Sequence, residues 1–184
     1  MSDHQTFRIK ELDMINKFDT LFVTFFGLGK IKFAPGTFAS FITTLIIFFY
    51  FQVANYSHEL IILIFTFIFF YSLVGINNYI KYSKNKDPKE VVIDEVIGQF
   101  IPLYLYEISH GLDKGGNEAI FNYFYIFLLF RFFDIKKPFP INYFDKNLKN
   151  SFGVVFDDII AGLYVVLTLI IFMIIKTKLA MYFF

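Results

Sequence analysis

Apolar residues are grouped in five blocks along the chain, and short polar stretches separate them. The blocks cover residues 38–53, 60–76, 96–106, 119–133 and 159–175. An α-helix rises about 1.5 Å per residue and the hydrocarbon core of a bilayer is about 30 Å thick. The first two blocks and the last are therefore close to the length that spans a bilayer, and the pattern predicts membrane-embedded helices.

Other parts of the pattern predict different structures. Block 96–106 is short and contains Pro102, which predicts a re-entrant, broken or protein-buried helix. Residues 107–118 contain three glycines and are expected to form a loop. Residues 6–26 predict an amphipathic helix that lies against the membrane or the bundle. We expect a single domain over residues 1–184, with residues 1–21 as an amphipathic lead-in rather than a secretory signal.

Composition supports a membrane protein and excludes several other classes. Hydrophobic residues make up 57% of the chain, mean hydropathy is +0.57, and there are 29 Phe residues. The chain contains no cysteine, so it has neither a disulfide framework nor a cysteine nucleophile. A formal net charge of +1 provides no general attraction for nucleic acid.

The positions of the basic residues predict a topology. If each block crosses once and the N-terminus is cytoplasmic, 14 of the 17 Lys and Arg residues lie on the cytoplasmic side. Every charged motif of the chain then falls on that side as well. This arrangement predicts a multi-pass protein of a cytoplasmic membrane, with a site that faces the cytoplasm.

Five acidic residues at the ends of the blocks are candidates for binding a metal ion. They are Asp94, Glu95, Asp134, Asp157 and Asp158. Carboxylates clustered beside an apolar body repel one another, and a divalent cation would relieve that repulsion. Because all the candidate ligands are oxygen atoms, the pattern favours Mg²⁺ over zinc or copper.

Simpler roles for these acids remain open at this point. Asp94 and Glu95 would also be favourable in the first turn of a helix. Asp157 and Asp158 would serve as N-cap and first-turn residues. Arg131 and Asp134 are three residues apart and would form a local ion pair on one helix face.

Basic residues and a turn-rich loop predict a phosphate site on the same side. The sequence GLGKIKFAPGTFAS at residues 27–40 places two lysines beside a predicted helix start, where backbone amides bind anions. The candidate phosphate-binding residues are Lys30, Lys32, Gly36, Thr37, Arg131 and Lys137. Mg²⁺ beside a bound phosphate is typical of phosphoryl hydrolysis, either by direct attack of water or through an aspartyl-phosphate. A non-catalytic protein that binds a cation is the rival interpretation.

Several known phosphatase and phosphotransferase motifs are missing from the chain. It has no CxxxxxR loop, no DxDx motif and no DGxxAR…GxxxDxxxD pattern, and its three histidines are badly placed for a histidine nucleophile. These absences argue against cysteine phosphatases, haloacid-dehalogenase-like enzymes, CDP-alcohol phosphatidyltransferases and histidine-dependent lipid phosphatases.

Four motifs together give the chain a family resemblance. They are GLGKIKFAPGTFAS, DPKEVVIDEVIGQF, RFFDIKKPFPINYFDKN and GVVFDDIIAG, at residues 27–40, 87–100, 131–147 and 153–162. In order and spacing, the chain resembles bacterial phosphatidylglycerophosphatase A from about residue 22 to residue 172.

The resemblance implies a fold, a reaction and a set of site residues. It implies an all-α helical bundle around a central helix in the bacterial inner membrane, and Mg²⁺-dependent removal of the terminal phosphate of phosphatidylglycerophosphate. By match to its motifs, the site residues would be Asp94, Glu95, Arg131, Asp134, Lys137, Asp157 and Asp158. The resemblance fixes neither the role of each acid nor the oligomeric state, and another lipid phosphate remains an alternative substrate.

Overall fold

The computed structural model describes residues 17–82, 89–110, 116–148 and 150–183, and within these ranges the protein is all-α. Helix α1 covers residues 17–23, and a 3₁₀ turn follows at Leu28–Lys30. The remaining helices are α2 (Pro35–Phe48, continued by a π-turn at Phe49–Val53), α3 (His58–Tyr82), α4 (Ile93–His110), α5 (Gly116–Lys136), α6 (Ile141–Asn147) and α7 (Ser151–Phe183). Each of the five apolar blocks forms a helix, which confirms the predicted fold class.

Helix α4 is the central helix of the bundle. It packs against α2, α3, α5 and α7, and its residues Val96, Phe100 and Leu103 are buried. Pro102 lies inside α4 without ending it. Of the three interpretations of block 96–106, the structure therefore supports the protein-buried helix.

Two glycines bring α4 and α7 unusually close together. A Cβ atom on Gly162 would lie 2.5 Å from the Gly98 carbonyl oxygen, and one on Gly98 would lie 2.7 Å from the Asp158 carbonyl oxygen. Pro102 has no N–H to donate to the Gly98 carbonyl four residues earlier. The backbone of α7 therefore packs against a part of α4 that has neither a side chain nor a regular helical hydrogen bond.

The predicted helix over residues 6–26 is too long at its C-terminal end. Helix α1 ends at residue 23, and the Thr24 hydroxyl accepts a hydrogen bond from the Gly27 N–H at 3.2 Å. Phe25, Phe26 and Gly27 have positive φ values, which a right-handed helix does not allow. Residues 6–16 of this prediction, and most of the lead-in over residues 1–21, lie outside the described residues.

The predicted loop over residues 107–118 is wrong at both ends. Helix α4 continues to His110 and α5 begins at Gly116, while residues 111–115 lie outside the described ranges. The helix extends because Glu107 is buried and accepts hydrogen bonds from Gln52 at 3.0 Å and Tyr123 at 2.9 Å. Tertiary partners thus stabilise a helical turn whose local sequence resembles a loop.

Among the described residues, three helices are long and apolar enough to cross a bilayer. They are Pro35–Val53, His58–Lys81 and Ser151–Leu179. Large apolar side chains on their outer faces are exposed, including Leu63, Phe67 and Phe172. Such extensive exposed apolar surface is expected when lipid rather than water surrounds a helix bundle.

Candidate active site

A charged cavity of about 960 Å³ opens at one end of the bundle. It lies where α2, α4 and α7 begin and where α5 ends, and α6 also contributes to its wall, so five helices bring residues to it from distant parts of the sequence. Its charged lining residues are Lys89, Asp94, Glu95, Arg131, Asp134, Lys137, Asp145, Lys146, Asp157 and Asp158.

Three carboxylates converge on one side of this cavity. Asp94, Glu95 and Asp158 each offer an oxygen, and these oxygens all lie within 4.8 Å of one another. Asp94 Oδ1, Glu95 Oε2 and Asp158 Oδ2 are buried and have no hydrogen-bond partner within the described part of the chain. Buried acceptors without partners are costly. A hard divalent cation with oxygen ligands therefore fits this donor set.

Burial raises the pKa of both acids on α4 and so favours their protonated forms. Burial raises the pKa of Asp94, and the negative charge of Glu95 raises it further. Burial also raises the pKa of Glu95 to about 6, although the positive charge of Arg131 opposes the change. Both shifts show that the local protein charge does not fully compensate these carboxylates.

Gly36 is required for the position of Glu95. A Cβ atom on Gly36 would lie 1.9 Å from Glu95 Oε1, so the carboxylate occupies the space that any other side chain would need. Gly36 lies in the first turn of α2, directly after Pro35 at the first helical position. The start of α2, with its free backbone amides, therefore faces the cavity beside the acidic cluster.

Arg131 connects α5 to α2 and is paired with an acid on its own helix. Its Nη1 lies 2.5 Å from Asp134 Oδ2 and donates a hydrogen bond to Ser40 Oγ at 3.3 Å. Ser40 is buried and donates in turn to the Gly36 carbonyl at 2.9 Å. These contacts hold the guanidinium at the edge of the cavity, close to the start of α2.

Lys137 joins the end of α5 to α6 and α7. It follows the last residue of α5, has a φ of 42°, and donates its backbone N–H to the Phe133 carbonyl at 2.8 Å. Its Nζ lies 2.6 Å from both Asp145 Oδ1 and Asp157 Oδ2. Burial lowers the pKa of Lys137, but the two carboxylates outweigh that effect and raise it above its usual value. Lys137 is therefore a fixed positive charge.

A comparison with known proteins decides the family. The sequence model described as phosphatidylglycerophosphatase A matches residues 21–173. The chain belongs to the phosphatidylglycerophosphatase A family. It is accordingly a phosphatase, and the resemblance seen in its four motifs is confirmed.

The chain is similar to three named relatives of the phosphatidylglycerophosphatase A and phosphatidylinositol-3-phosphatase types. The chain is 35% identical over 162 residues to phosphatidylglycerophosphatase A of Haemophilus influenzae, an alignment that covers 86% of this chain and 90% of that protein. It is 32% identical over 149 residues to a putative phosphatidylinositol-3-phosphatase of Bacteroides thetaiotaomicron, and this alignment covers 77% of this chain and 84% of that protein. It is 33% identical over 76 residues to phosphatidylglycerophosphatase A of Escherichia coli, and this alignment covers 41% of this chain and 39% of that protein. No solved structure matches the chain.

Most residues that the sequence predicts for a phosphatidylglycerophosphatase A site line the cavity. All seven residues taken from the family motifs are there, together with Gly36 and Thr37. Lys30 and Lys32 are exposed and do not line it. Ala34 has a φ of 46°, and this left-handed residue turns the chain just before α2. The two lysines are therefore close to the site in sequence but not part of its wall.

The structure also decides between the simpler roles of the acids. Asp94 and Glu95 are in the first turn of α4, and Arg131 and Asp134 form the local ion pair. The capping role of Asp157 and Asp158 is wrong, because α7 begins at Ser151 and both residues lie well inside it.

Four charged or polar residues of the site are absent from the predicted set. Asp145 pairs with Lys137, Ser40 accepts a hydrogen bond from Arg131, and Lys89 and Lys146 line the cavity. Asp145 lies in the charged stretch between the last two apolar blocks, so its charge was the one available signal. Ser40 is the last residue of the motif at residues 27–40, but its position among apolar residues does not indicate a hydrogen bond to Arg131.

Proposed function

We propose that this phosphatase hydrolyses the terminal phosphomonoester of phosphatidylglycerophosphate, giving phosphatidylglycerol and phosphate, and that it requires Mg²⁺. The observation that carries the proposal is a group of three carboxylates, Asp94, Glu95 and Asp158, in a cavity that also has fixed positive charge. Each of the three has a buried oxygen without a hydrogen-bond partner among the described residues. Acidic residues alone would repel a phosphate, so the combination suits a phosphate bound together with a cation.

Asp94, Glu95 and Asp158 would hold the Mg²⁺ ion. The bound ion supplies charge neutralisation at the phosphoryl oxygens and makes a nearby water more acidic. Asp134 and Asp157 would have a different role from these three acids, because each is already paired with a basic side chain of the protein. Asp134 would position Arg131, and Asp157 would position Lys137.

Arg131 and the start of α2 would bind and orient the phosphate. A guanidinium presents planar donors that match phosphate oxygens, and a helix start adds backbone amides and a partial positive charge. With the phosphate fixed, the oxygen of a water molecule attacks phosphorus and the ester P–O bond breaks. A cavity carboxylate accepts the proton of the water, and the released glycerol oxygen takes up a proton.

The location of the cavity suits a lipid substrate. Charged walls lie at the end of a bundle whose sides are apolar, so a phosphate at the bilayer surface reaches the acids while its acyl chains stay in lipid. The distribution of Lys and Arg supports a cytoplasmic position for that end in the bacterial inner membrane.

A substrate panel tests the identity of the lipid. The purified protein in detergent with Mg²⁺ is given phosphatidylglycerophosphate, phosphatidylinositol 3-phosphate and phosphatidic acid, and phosphate release is measured. We expect kcat/KM to be highest for phosphatidylglycerophosphate. Preference for phosphatidylinositol 3-phosphate would instead assign the chain the activity named for the Bacteroides relative. No release from any of the three, by folded protein, would contradict the proposed function.

A further inference from the structure

A second, apolar groove runs along the two helices that bind the phosphate. It lies between α2 and α5, has a volume of about 200 Å³, and is walled by Phe41, Leu45 and Phe48 on one side and by Ile120, Phe124 and Phe127 on the other. Neither the family motifs nor the charged cavity includes any of these residues.

The groove begins one helical turn away from the charged cavity on each of the two helices. On α2, Thr37 lines the cavity and Phe41, one helical turn later, begins the groove. On α5, Arg131 lines the cavity and Phe127, one turn earlier, lines the groove. The rings of Phe41 and Phe127 are in edge contact, with centroids 5.7 Å apart, so this pair marks the boundary between the charged cavity and the groove. From Phe41 to Phe48 the groove extends about 10 Å along α2, away from the acids.

The groove offers only carbon surface to an occupant. Its two polar side chains are already engaged, since Thr44 Oγ1 donates to the Ser40 carbonyl at 2.8 Å and the Tyr123 hydroxyl donates to Glu107 at 2.9 Å. An occupant that required hydrogen bonds would find none here. Its volume is below the ~300–1,000 Å³ typical of sites that enclose a whole ligand, so it suits a segment of a longer molecule.

The walls of the groove also open toward the surroundings of the bundle. Leu45 on the α2 wall and Ile120 on the α5 wall are 47% and 55% exposed. Because α2 is one of the helices able to cross a bilayer, this opening faces lipid if α2 spans the membrane. An acyl chain would then enter sideways from the bilayer, and its headgroup would stay at the level of Arg131.

We propose that the α2–α5 groove binds the upper part of one acyl chain of the substrate lipid and thereby selects membrane lipids over soluble phosphomonoesters. This inference rests on the proposed function, because it requires a lipid phosphate in the charged cavity. An acyl chain suits this groove because a carbon-lined surface lies one helical turn from the proposed phosphate site on the same two helices, and because its walls are open to the surroundings of the bundle.

The test narrows the groove without changing the charged cavity. Leu45→Trp and Ile120→Trp each add bulk to one wall, whereas Ile46→Trp and Phe121→Trp change the adjacent exposed residues, which do not line the groove. Phosphate release is measured in mixed micelles with dihexanoyl and dioleoyl phosphatidylglycerophosphate. Circular dichroism and size-exclusion chromatography establish that all four variants fold.

We expect the unmodified protein and both control variants to have a lower KM for the dioleoyl lipid than for the dihexanoyl lipid. In the two groove variants, KM for the dioleoyl lipid should rise roughly tenfold, so that the difference between the two lipids disappears. A change of this size is expected when the protein loses contact with about two methylene groups of the acyl chain. Their kcat on the dihexanoyl lipid should be unchanged.

Two other results would overturn the inference and leave the proposed function intact. The groove variants could keep the chain-length preference of the unmodified protein, or they could lose kcat equally on both lipids. The same loss of preference in the control variants would also overturn it, because the effect would then belong to any bulky change on these helices. If the unmodified protein releases no phosphate from either lipid, the proposed function fails first, and the substrate role of the groove fails with it.

Discussion

At the scale of single residues, the carboxylates of the cavity fall into two groups that the sequence does not separate. Asp134 is paired with Arg131, and Asp157 is paired with Lys137. Asp94, Glu95 and Asp158 converge, and each keeps a buried oxygen that has no hydrogen-bond partner in the described ranges of the chain. Only the second group has buried oxygens left without a partner among the described residues, which is why we propose the metal site at three acids rather than at all five.

This division predicts the effect of Asp158→Asn. The change removes one negative charge from the converging group, so binding of Mn²⁺, used as a paramagnetic probe for Mg²⁺, should weaken. Turnover should fall by about 100-fold or more, the scale expected for loss of a carboxylate that binds or orients a catalytic group. Electron paramagnetic resonance measures the first effect and phosphate release the second.

Glu107→Gln is the matched control for this experiment. Glu107 is also a buried carboxylate, but it lies near the other end of α4 and is hydrogen-bonded to Gln52 and Tyr123. Its variant should keep near-normal Mn²⁺ binding and turnover. Equal losses in both variants would show that any buried acid is needed for folding, and would remove the argument for a specific metal site.

At the scale of helices, the site depends on how closely α7 approaches α4. Asp94 and Glu95 lie on α4 and Asp158 lies on α7, so the distance between the two helices sets the distance between the carboxylates. Gly98 and Gly162 permit this approach, because a Cβ on either residue would collide with a backbone carbonyl of the facing helix.

We therefore predict that Gly162→Ala moves α7 away from α4 and so increases the distance from Asp158 to Asp94 and Glu95. Its Cβ would meet the Gly98 carbonyl oxygen, a backbone atom that cannot rotate away. Overpacking of this kind costs about 1–3 kcal/mol of stability. Mn²⁺ affinity and turnover should both decrease, although no charged residue has changed.

Gly75→Ala serves as the control for this variant. The nearest atom to its Cβ would be Val23 Cγ1 at 3.2 Å, a side-chain atom away from the cavity. Thermal unfolding and turnover of this variant should stay close to those of the unmodified protein. Normal activity in Gly162→Ala would contradict the dependence of the site on α4–α7 packing.

The elements also show how much of the structure can be predicted from the sequence. Hydrophobic blocks predict that five long helices exist, because burial in lipid or protein requires long apolar runs. They do not predict helix ends, since polar residues such as Glu107 continue a helix when a tertiary partner satisfies them. Helix α6 is only seven residues long and has no recognisable pattern of its own.

The candidate site has similar limits. The motifs predict which acidic residues belong to the site, and the charge distribution predicts that these residues lie at the same end of the bundle. The pairing of Lys137 with both Asp145 and Asp157 is not, because it depends on where three helices meet. Lys30 and Lys32 lie outside the cavity, before the left-handed residue Ala34 where α2 begins, and sequence spacing does not reveal that turn of the chain.

At the scale of the whole molecule, the directions of the helices support one active face. Helices α2, α4 and α7 begin at the cavity and α5 ends there, as expected if successive long helices run in opposite directions. Three of the described helices are long and apolar enough to cross a bilayer. The excess of Lys and Arg near the cavity end favours the cytoplasm for that face.

Cysteine labelling tests this topology directly, because the natural chain contains no cysteine. Lys32→Cys lies before α2, and Lys178→Cys lies near the far end of α7. A membrane-impermeant maleimide applied to spheroplasts should label the Lys178→Cys variant. It should label the Lys32→Cys variant only after the membrane is permeabilised. Labelling of both variants in intact spheroplasts would contradict an odd number of crossings between them.

The most direct test of the central claim is phosphate release from phosphatidylglycerophosphate before and after removal of divalent cations. The purified protein is assayed with Mg²⁺, then after treatment with EDTA, and again after Mg²⁺ is restored. We predict turnover that EDTA abolishes and Mg²⁺ recovers, with little recovery in Asp158→Asn. Undiminished turnover in EDTA would contradict a reaction that depends on a cation held by Asp94, Glu95 and Asp158.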